Sequence, residues 1–207
     1  MSGRDLQSAV HALRHRGPDD EGYLLFAAQG SQVRAFAGPD TMRGIDLPPV
    51  AGADASRYSC AFGHRRLSII DLSAAGHQPM ASADGRCWVT YNGEIYNYLE
   101  LRRELEALGA AFRTASDTEV LLEAYRHWGT GMLPRLTGMF AFAILDLEAR
   151  RVLLARDQFG IKPLYLSRRP DGLAFASEIK ALLRLTGVGR LGNAERAYQY
   201  LRYGERD

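Results

Sequence analysis

The sequence predicts an α+β fold in which β-sheets are layered with helices, and three observations support it. Short apolar segments with strand character come before and after a central pair of helical segments. Each helical segment carries an apolar stripe at i, i+3, i+4 spacing, which is typical of a helix that lies on a core. The segment MFAFAILDL (139–147) is apolar without alternation, as expected for a strand buried on both faces. Strands on both sides of a helical pair favour sheets covered by helices.

The N-terminal part of the chain is predicted to form one helix and several short strands. The helix covers residues 5–15, where Leu6, Val10 and Leu13 share one face. We expect a turn or loop at 16–22, strands at 23–28 and 33–38, an exposed Gly-, Pro-, Ala- and Asp-rich loop at 39–57, one or two strands within 60–73, a loop at 74–85 and a strand at 87–93. That last strand ends in Asn92-Gly93, a pair that favours a hairpin turn.

Two amphipathic helices follow, each with a predicted capping box at its start and a glycine at its end. In the first helix the capping pair is Asn97 with Glu100, the closing glycine is Gly109, and the apolar stripe is Tyr98, Leu101, Leu105 and Leu108. In the second helix the capping pair is Ser116 with Glu119, the closing glycine is Gly129, and the apolar stripe is Leu121, Ala124, Tyr125 and Trp128. Both stripes are expected to face the core.

Strands return in the C-terminal part of the chain. They are expected at 139–147, 151–157, 163–167 and 173–178, with a turn at RPDG (169–172) because Pro presets φ and Gly permits a positive φ. A short helix, IKALLRL, is predicted to end at Gly187, and AERAYQYLR forms a last one.

Composition narrows the classes of function. The chain has 207 residues, 46% of them hydrophobic, and a net charge of +2 without a basic stripe, which argues against binding of DNA or RNA. No apolar run is long enough to span a membrane, and the N-terminus lacks the apolar segment of a signal peptide. The two cysteines, Cys60 and Cys87, make neither a disulfide framework nor a metal cluster. We therefore expect a soluble cytoplasmic protein without a metal site.

Polar residues at the ends of apolar strands are the candidates for chemistry. Arg66 offers a planar guanidinium suited to a carboxylate, and its ordinary alternative is a surface ion pair. Asn92 and Gly93 offer a side-chain amide and a main-chain N–H that can converge as an oxyanion hole, the alternative being a hairpin turn. Asp117 and Glu94 suit an ammonium group, although an acid such as Asp117 more commonly caps a helix. Together they would fit a free amino acid with a carbonyl in its side chain.

The order and wording of the motifs resemble the class II glutamine amidotransferase domain, the N-terminal glutaminase domain, of glutamine-hydrolysing asparagine synthase. The matching segments are HRGPDDEG (15–22), FGHRRLSIIDLS (62–73), GHQPM (76–80), TYNGEIYNYLELRREL (90–105), TASDTEVLLEAY (114–125), RLTGMFAFAILD (135–146), ARDQFGIKPLYL (155–166) and FASEIKALL (175–183). The resemblance implies a four-layer αββα sandwich of the N-terminal-nucleophile hydrolase type. It also implies hydrolysis of L-glutamine and transfer of the ammonia to a second domain, which forms an amide on aspartate.

The same resemblance implies roles for single residues. Arg66 would bind the glutamine α-carboxylate with Leu67 beside it. Asn92 and Gly93 would form the oxyanion hole, and Glu94 and Asp117 would hold the α-amino group. His15 and Arg16 are assigned structural roles, and Lys162 could face a partner domain. No cofactor is expected in this domain, since ATP and magnesium belong to the synthetase domain.

The chain departs from the family at its start. The family nucleophile is an N-terminal cysteine on an apolar first strand, whereas this sequence opens Met-Ser-Gly-Arg. Ser2 is a poor substitute because Arg4, Asp5 and Gln7 do not suit a buried strand. Cys60 and Cys87 are internal and have no N-terminal amine to act as base. We therefore expect a truncated first strand and no glutaminase activity in this polypeptide.

The expected domain organisation is a glutaminase domain at 1–187 and a linker helix at 188–207 that leads towards an absent synthetase domain. Two other interpretations stay open. The chain could be a non-catalytic binding or scaffold module for a separate synthetase-like subunit. It could also be the vestigial domain of an asparagine synthase-like peptide cyclase or amidotransferase of natural-product metabolism. The sequence leaves homo-oligomer formation open.

Overall fold

The computed structural model describes residues 2–29, 32–54, 57–69, 72–170, 172–187 and 192–204. In chain order its helices and strands are α1 (Gly3–His11), β1 (Asp20–Ala27), β2 (Gln32–Phe36), β3 (Cys60–Arg66), β4 (Met80–Ala81), β5 (Cys87–Ile95), α2 (Tyr98–Ala107), α3 (Asp117–Trp128), β6 (Gly138–Asp146), β7 (Arg151–Arg156), β8 (Tyr165–Arg169), β9 (Gly172–Ala176), α4 (Ile179–Thr186) and α5 (Ala194–Tyr203). Short 3-10 turns lie at Arg14–Arg16, Val50–Gly52, Ala74–Gly76 and Gly129–Arg135.

Helix α1 begins at a capping box. The Ser2 hydroxyl accepts a hydrogen bond from the Asp5 main-chain N–H at 3.2 Å, and the Asp5 carboxylate accepts one from the Ser2 N–H at 2.7 Å. The helix therefore begins before the predicted residue 5, because Ser2 satisfies its first free N–H groups. Leu6 and Val10 are buried on its inner face, as predicted.

Helix α3 forms half of its predicted capping box. The Ser116 hydroxyl accepts from the Glu119 N–H at 3.3 Å, but the Glu119 carboxylate turns to the preceding segment and accepts from the Thr114 N–H at 2.7 Å. The helix ends before Gly129, whose φ of 56° permits the chain to turn away. The predicted stripe is buried except at its end, where the side chain of Trp128 is only partly covered.

Helix α2 differs from its prediction at both ends. Asn97 makes no side-chain cap; its amide instead donates to the Arg135 carbonyl at 2.9 Å and accepts from the Thr137 N–H at 2.9 Å. Tertiary partners have replaced the local bond. Leu105 is fully buried, whereas Leu108 is 55% exposed, because the helix stops at Ala107 before that side chain can reach the core.

The described strands form three antiparallel sheets. The first has the order β2-β1-β3, the second β4-β5-β6-β7, and the third is the hairpin β8-β9. The central strand β6 is buried along most of its length, as its unbroken apolar run predicted.

The two larger sheets pack face to face. Leu24 and Phe26 of β1 and Phe62 of β3 lie against Ala143 and Leu145 of β6. Alternate side chains of the first sheet therefore point inwards to a core shared with the second sheet.

Helices cover the outer faces of both sheets. On one side, Leu6 and Val10 of α1 pack on Tyr23 and Leu25 of β1. On the other, the apolar stripes of α2 and α3 pack on β5 and β6 in the largest buried cluster. The arrangement is helix, sheet, sheet, helix, which confirms the four-layer sandwich.

Asn92-Gly93 does not form a turn, so the hairpin interpretation is wrong. Strand β5 continues through both residues to Ile95, with Asn92 opposite Ala141 and Gly93 opposite Phe140. A Cβ atom at Gly93 would overlap the main chain of Met139 and Phe140. Glycine is needed here for close strand approach rather than for a positive φ.

Three other sequence predictions need correction. Residues 16–22 were expected to be a turn or loop, but β1 begins at Asp20 because Asp20 pairs with Arg66 of β3. The loop at 39–57 is mostly exposed, yet Val50 within it is fully buried beneath α1. The loop at 74–85 also contains β4, which pairs with Val89 and Trp88 of β5.

Candidate active site

Two cavities meet between the sheets, and one of them is polar. The polar cavity has a volume of about 440 Å³ and is defined here by Arg66, Asn92, Gly93, Asp117 and Lys162, which all line it. Its walls come from the end of β3, the middle of β5 and the first turn of α3. The sheet pairing and the start of one helix therefore bring together five of the six residues predicted to bind glutamine or form the oxyanion hole. Leu67, 55% exposed, lies at its rim.

Arg66 is the last residue of β3 and is held in place before any ligand binds. It is 7% exposed, and its Nη1 donates to the Ser73 carbonyl at 2.9 Å. Its guanidinium lies directly against Gly76, where any Cβ atom would overlap Nη2. A buried guanidinium that is fixed in place has the planar geometry that suits a carboxylate.

Asn92 presents a donor that the protein does not use. Its Nδ2 is buried and has no hydrogen-bond partner among the residues that the structure describes. Such a donor costs about 1–3 kcal/mol in a folded protein unless a ligand satisfies it. Asn92 and Gly93 are adjacent on a paired strand, so the amide has a fixed position relative to the neighbouring main chain.

Asp117 opens helix α3 with its carboxylate turned towards β5. Its Oδ2 accepts from the Tyr91 hydroxyl at 2.8 Å and from the Ile95 N–H at 3.1 Å. Burial raises the pKa of Asp117 above its ordinary value, and the nearby Glu94 carboxylate adds to this rise, while the two hydrogen bonds oppose it. A cation beside Asp117 would stabilise the charged carboxylate.

Glu94 is the predicted site residue that does not line the polar cavity. It is half-buried on β5 opposite Met139, beyond Gly93. Its charge still reaches Asp117, since it is among the causes of the raised pKa of that residue.

Several cations surround the polar cavity, and most are already paired. Arg65 contacts Glu21 at 3.0 Å and Asp40 at 2.9 Å. His15 and Arg16, which were expected to be structural, line the cavity and also share the Glu178 carboxylate, at 2.9 Å and 3.3 Å. The cavity also presents the Arg66 guanidinium, which suits an anionic group, and the Asp117 carboxylate, which suits a cationic group.

Lys162 reaches the cavity from a loop organised by one carboxylate. Asp157 accepts main-chain N–H bonds from Phe159, Ile161 and Lys162 at 3.1, 2.9 and 3.0 Å. Burial alone would raise the pKa of Asp157, but these donors hold it below its ordinary value. The loop is therefore a built element that carries a lysine to the cavity.

Sequence reasoning missed three residues that shape the cavity. Tyr91 holds the Asp117 carboxylate, and Gln78 accepts from the Tyr91 N–H at 2.8 Å. His64 is buried and bonds Thr90 at 3.0 Å, and burial lowers its pKa to about 3. A signal for His64 was available, because residues two apart on a strand share a face and Arg66 was already a candidate.

No thiol among the described residues lines the polar cavity. Cys60 lies at the neighbouring apolar cavity and Cys87 is buried in the core, and burial raises the pKa of each thiol to about 11. Ser2 is an exposed helix cap whose hydroxyl bonds Asp5 at 2.8 Å. The Ser116 hydroxyl lines the cavity but caps α3.

The described residues contain neither a group suited to a metal ion nor a helix suited to span a membrane. No group of three or more His, Cys, Asp or Glu side chains there is arranged to hold a metal ion. No helix in that part of the chain is long and apolar enough to cross a membrane.

Comparison with known proteins adds to these observations. Residues 28–206 match the family model described as glutamine amidotransferase domain. The chain is similar to asparagine synthetase [glutamine-hydrolyzing] 1 of Bacillus subtilis, with 53% identity over 82% of the chain and 22% of that relative. It is 38% identical to asparagine synthetase [glutamine-hydrolyzing] 2 of the same organism, over 86% of the chain and 19% of that relative. It therefore spans about a fifth of the length of these curated relatives.

A solved structure shares the fold. Glutamine phosphoribosylpyrophosphate amidotransferase from B. subtilis, complexed with ADP and GMP, superposes with a TM-score of 0.68 at 24% identity, over 88% of this chain and 41% of that one. This likeness supports the four-layer αββα sandwich that the sequence resemblance implied.

Proposed function

The chain belongs to the glutamine amidotransferase domain family, and on that premise we propose that its polar cavity binds L-glutamine. The domain would be the glutaminase part of a protein related to glutamine-hydrolysing asparagine synthetases. In such a protein it would supply ammonia to a synthetase domain or subunit that forms an amide on aspartate. ATP and magnesium would be bound there and not in this domain.

The proposed pose follows from the charges of the cavity. The glutamine α-carboxylate accepts from the Arg66 guanidinium, and the α-ammonium group lies beside Asp117. The side chain then extends along β5, where its carbonyl oxygen accepts from Asn92 Nδ2 and from the main chain at Gly93. An oxyanion formed at this oxygen would be stabilised by the same two donors.

The observation that carries the proposal is the unpartnered Nδ2 of Asn92 in a cavity that also holds Arg66 and Asp117. A buried amide N–H without an acceptor is costly and uncommon. Its retention beside two opposite charges favours a ligand that carries an ammonium and a carboxylate at one end and a carbonyl group at the other. Glutamine has this arrangement. Glu94 would act on the α-amino group at longer range, through its effect on Asp117.

Titration calorimetry with L-glutamine tests this function. We expect binding to the 207-residue polypeptide, and at least a tenfold loss in the variant Arg66→Ala because the carboxylate loses its charge-assisted donor. Arg34→Ala is the matched control, since Arg34 is exposed on β2. D-Glutamine should bind poorly because its ammonium and carboxylate cannot both meet Asp117 and Arg66. Equal affinity in Arg66→Ala and the native chain would contradict the pose.

Hydrolysis of glutamine is measured separately from its binding. The described residues bring no thiol to the polar cavity, so we expect the polypeptide to bind glutamine without releasing ammonia above background. A coupled glutamate dehydrogenase assay measures this. Ammonia release near ~1 s⁻¹, an ordinary enzymatic rate, would show that another group in this chain attacks the amide.

A further inference from the structure

The segment 73–78, which runs from Ser73 to Gln78, lies against the start of β1 and the end of β3. Its Gly76 and Gln78 line the polar cavity. Its first part is a 3-10 turn, in which the Gly76 N–H donates to the Ser73 carbonyl at 3.3 Å. The proposed function assigns this segment no contact with glutamine. Any contribution of the segment to binding therefore comes from the side chains that it holds in place.

One end of the segment fixes Arg66. The Ser73 carbonyl accepts from Arg66 Nη1 at 2.9 Å, and the guanidinium lies so close to Gly76 that a Cβ atom there would overlap Nη2. A free arginine side chain has many rotamers, and ordering it when a ligand binds lowers the affinity. A guanidinium that the segment already holds has lost this freedom before glutamine arrives.

The other end of the segment is attached to the second sheet. Gln78 Oε1 accepts from the Tyr91 N–H of β5 at 2.8 Å. Further along the chain, Met80 pairs with Val89 in the ladder between β4 and β5. The segment therefore connects the two sheets, and its position against Arg66 depends on how it is held on the first sheet.

His77 holds the segment on the first sheet. Its Nδ1 lies 2.7 Å from Oδ2 of Asp20, whose side chain is 1% exposed. Burial alone would raise the pKa of Asp20, but the hydrogen bonds from His77 and from the Met42 N–H hold that pKa below its ordinary value. The His77 ring also packs on Gly22, where any Cβ atom would overlap the imidazole. The contact therefore joins a charged, buried carboxylate to an imidazole that has little room to move.

Asp20 and Arg66 lie directly opposite each other in the ladder between β1 and β3. The carboxylate that holds His77 and the guanidinium that touches Gly76 thus belong to one cross-strand pair. His77 and Gly76 are also adjacent in the sequence, so a shift of one moves the other. We propose that His77 and Asp20 are positioning residues for glutamine binding, because their contact keeps the segment against the Arg66 guanidinium that binds the α-carboxylate. This inference rests on the proposed function.

Titration calorimetry with two ligands tests this role on the full chain. L-Glutamine has the α-carboxylate, whereas L-glutamine α-amide keeps the ammonium group and the side chain but lacks that negative charge. His77→Ala should weaken binding of L-glutamine at least tenfold and binding of the α-amide less than twofold, because only the carboxylate needs Arg66. A contact that merely stabilises the fold would affect the two ligands alike. Equal losses for both ligands, or no loss for L-glutamine, would overturn the proposal.

A conservative variant and a distant control complete the comparison. In His77→Asn the side-chain amide takes the place of the imidazole Nδ1 as a donor to Asp20, so we expect an L-glutamine affinity within threefold of the native chain. His127→Ala, at an exposed histidine of α3, should leave the affinity unchanged. Should His77→Asn bind L-glutamine as weakly as His77→Ala does, the hydrogen bond to Asp20 does not position Arg66 and the proposal is wrong.

NMR relaxation of the arginine Nε–H groups measures the mobility of Arg66 without any ligand. The order parameter of Arg66 should fall in His77→Ala and recover in His77→Asn. Arg65 is the internal control, because its Nε donates to the Gly17 carbonyl at 2.8 Å, in a different part of the chain. An unchanged order parameter of Arg66 would contradict the role of His77. Loss of order at Arg66 in His77→Ala, with a native chain that binds no L-glutamine, would support the positioning of Arg66 and contradict the proposed function instead.

Discussion

At the residue scale, the polar cavity depends on side chains whose protonation is set by burial. Asp117 has a raised pKa because it is buried, and hydrogen bonds from Tyr91 and Ile95 limit that rise. His64 has a pKa lowered to about 3 and is therefore neutral near neutral pH. Each residue gives a pH dependence with a definite sign.

Tyr91→Phe should make glutamine binding more sensitive to acid. The hydroxyl lowers the pKa of Asp117, so its removal raises that pKa further above 3.8. As pH falls, Asp117 in the variant loses its charge earlier, and the onset of weakened binding shifts to higher pH; well above both pKa values the two proteins bind alike. Calorimetry across a pH series measures the shift. Tyr125→Phe, which removes the 3.0 Å bond to Asp146 away from the cavity, should not move it.

His64→Asn should flatten the dependence of stability on mild acid. The folded pKa of about 3 lies below the ordinary 6.5, so the unfolded chain takes up a proton that the folded chain refuses. Stability is therefore fully present above pH 6.5 and is lost as pH falls towards 3. Denaturant unfolding between pH 4.5 and 6.5 should show a smaller slope in the variant. His127→Asn, on an exposed histidine of α3, is the control; an unchanged slope in His64→Asn would contradict the assignment.

At the scale of the elements, β5 and β6 form the centre of the second sheet, and β5 carries Asn92 and Gly93, the proposed oxyanion-hole residues. Gly93→Ala should cost about 2 kcal/mol or more of unfolding free energy, because its Cβ would overlap the main chain of Met139 and Phe140. Chemical denaturation measures the loss. Gly131→Ala has no atom within 4 Å of the added Cβ and should change stability little. A neutral Gly93→Ala would mean that the strands can separate at this point.

Sequence patterns predicted the helices and strands well where the spacing of apolar residues matches the side chains that are buried. They predicted poorly where hydrogen bonds to distant residues replace hydrogen bonds to residues nearby in the sequence. The buried run of β6 and the stripe of α3 were predicted because each side chain meets the core at its expected spacing. Asn92-Gly93 favours a turn locally, but nine paired positions between β5 and β6 outweigh that preference. The Asn97 side chain does not cap its helix because it bonds the main chain of Arg135 and Thr137, which lie far along the sequence.

The candidate site was partly predictable for the same reason. Arg66 and Asn92 were identified from residue type and from the family resemblance, and the structure places them in one cavity. Gln78 could not be identified from its residue type, because its role is to accept a hydrogen bond from the Tyr91 N–H, and only the folded chain brings these two groups together. Glu94 was assigned to the site from the family resemblance; it shares a face of β5 with Asn92 but lies two residues further along the strand, opposite Met139, and does not line the cavity.

At the scale of the whole molecule, α5 adds little to the packed structure. It has no buried residue, unlike α4, whose Ala181 and Leu182 lie in a core cluster. We propose that 1–187 folds as the domain and that 188–207 leads away from it. A chain that stops after Gly187 should melt within about 2 °C of the full chain, whereas one that stops after Ser177 should lose its cooperative transition. A large drop in the first truncation would place α5 within the domain.

The carboxylate of Glu178 has a consequence for the kinetics of folding. It joins His15 and Arg16, which lie 163 and 162 residues earlier in the chain, and it also pairs with Lys180 at 2.9 Å. Closing so long a loop lowers the conformational entropy of the chain before the ion pairs at Glu178 contribute any stabilising free energy. We therefore expect the two ends of the polypeptide to join late, after the sheets have assembled, and the loss of this junction to speed unfolding more than it slows folding.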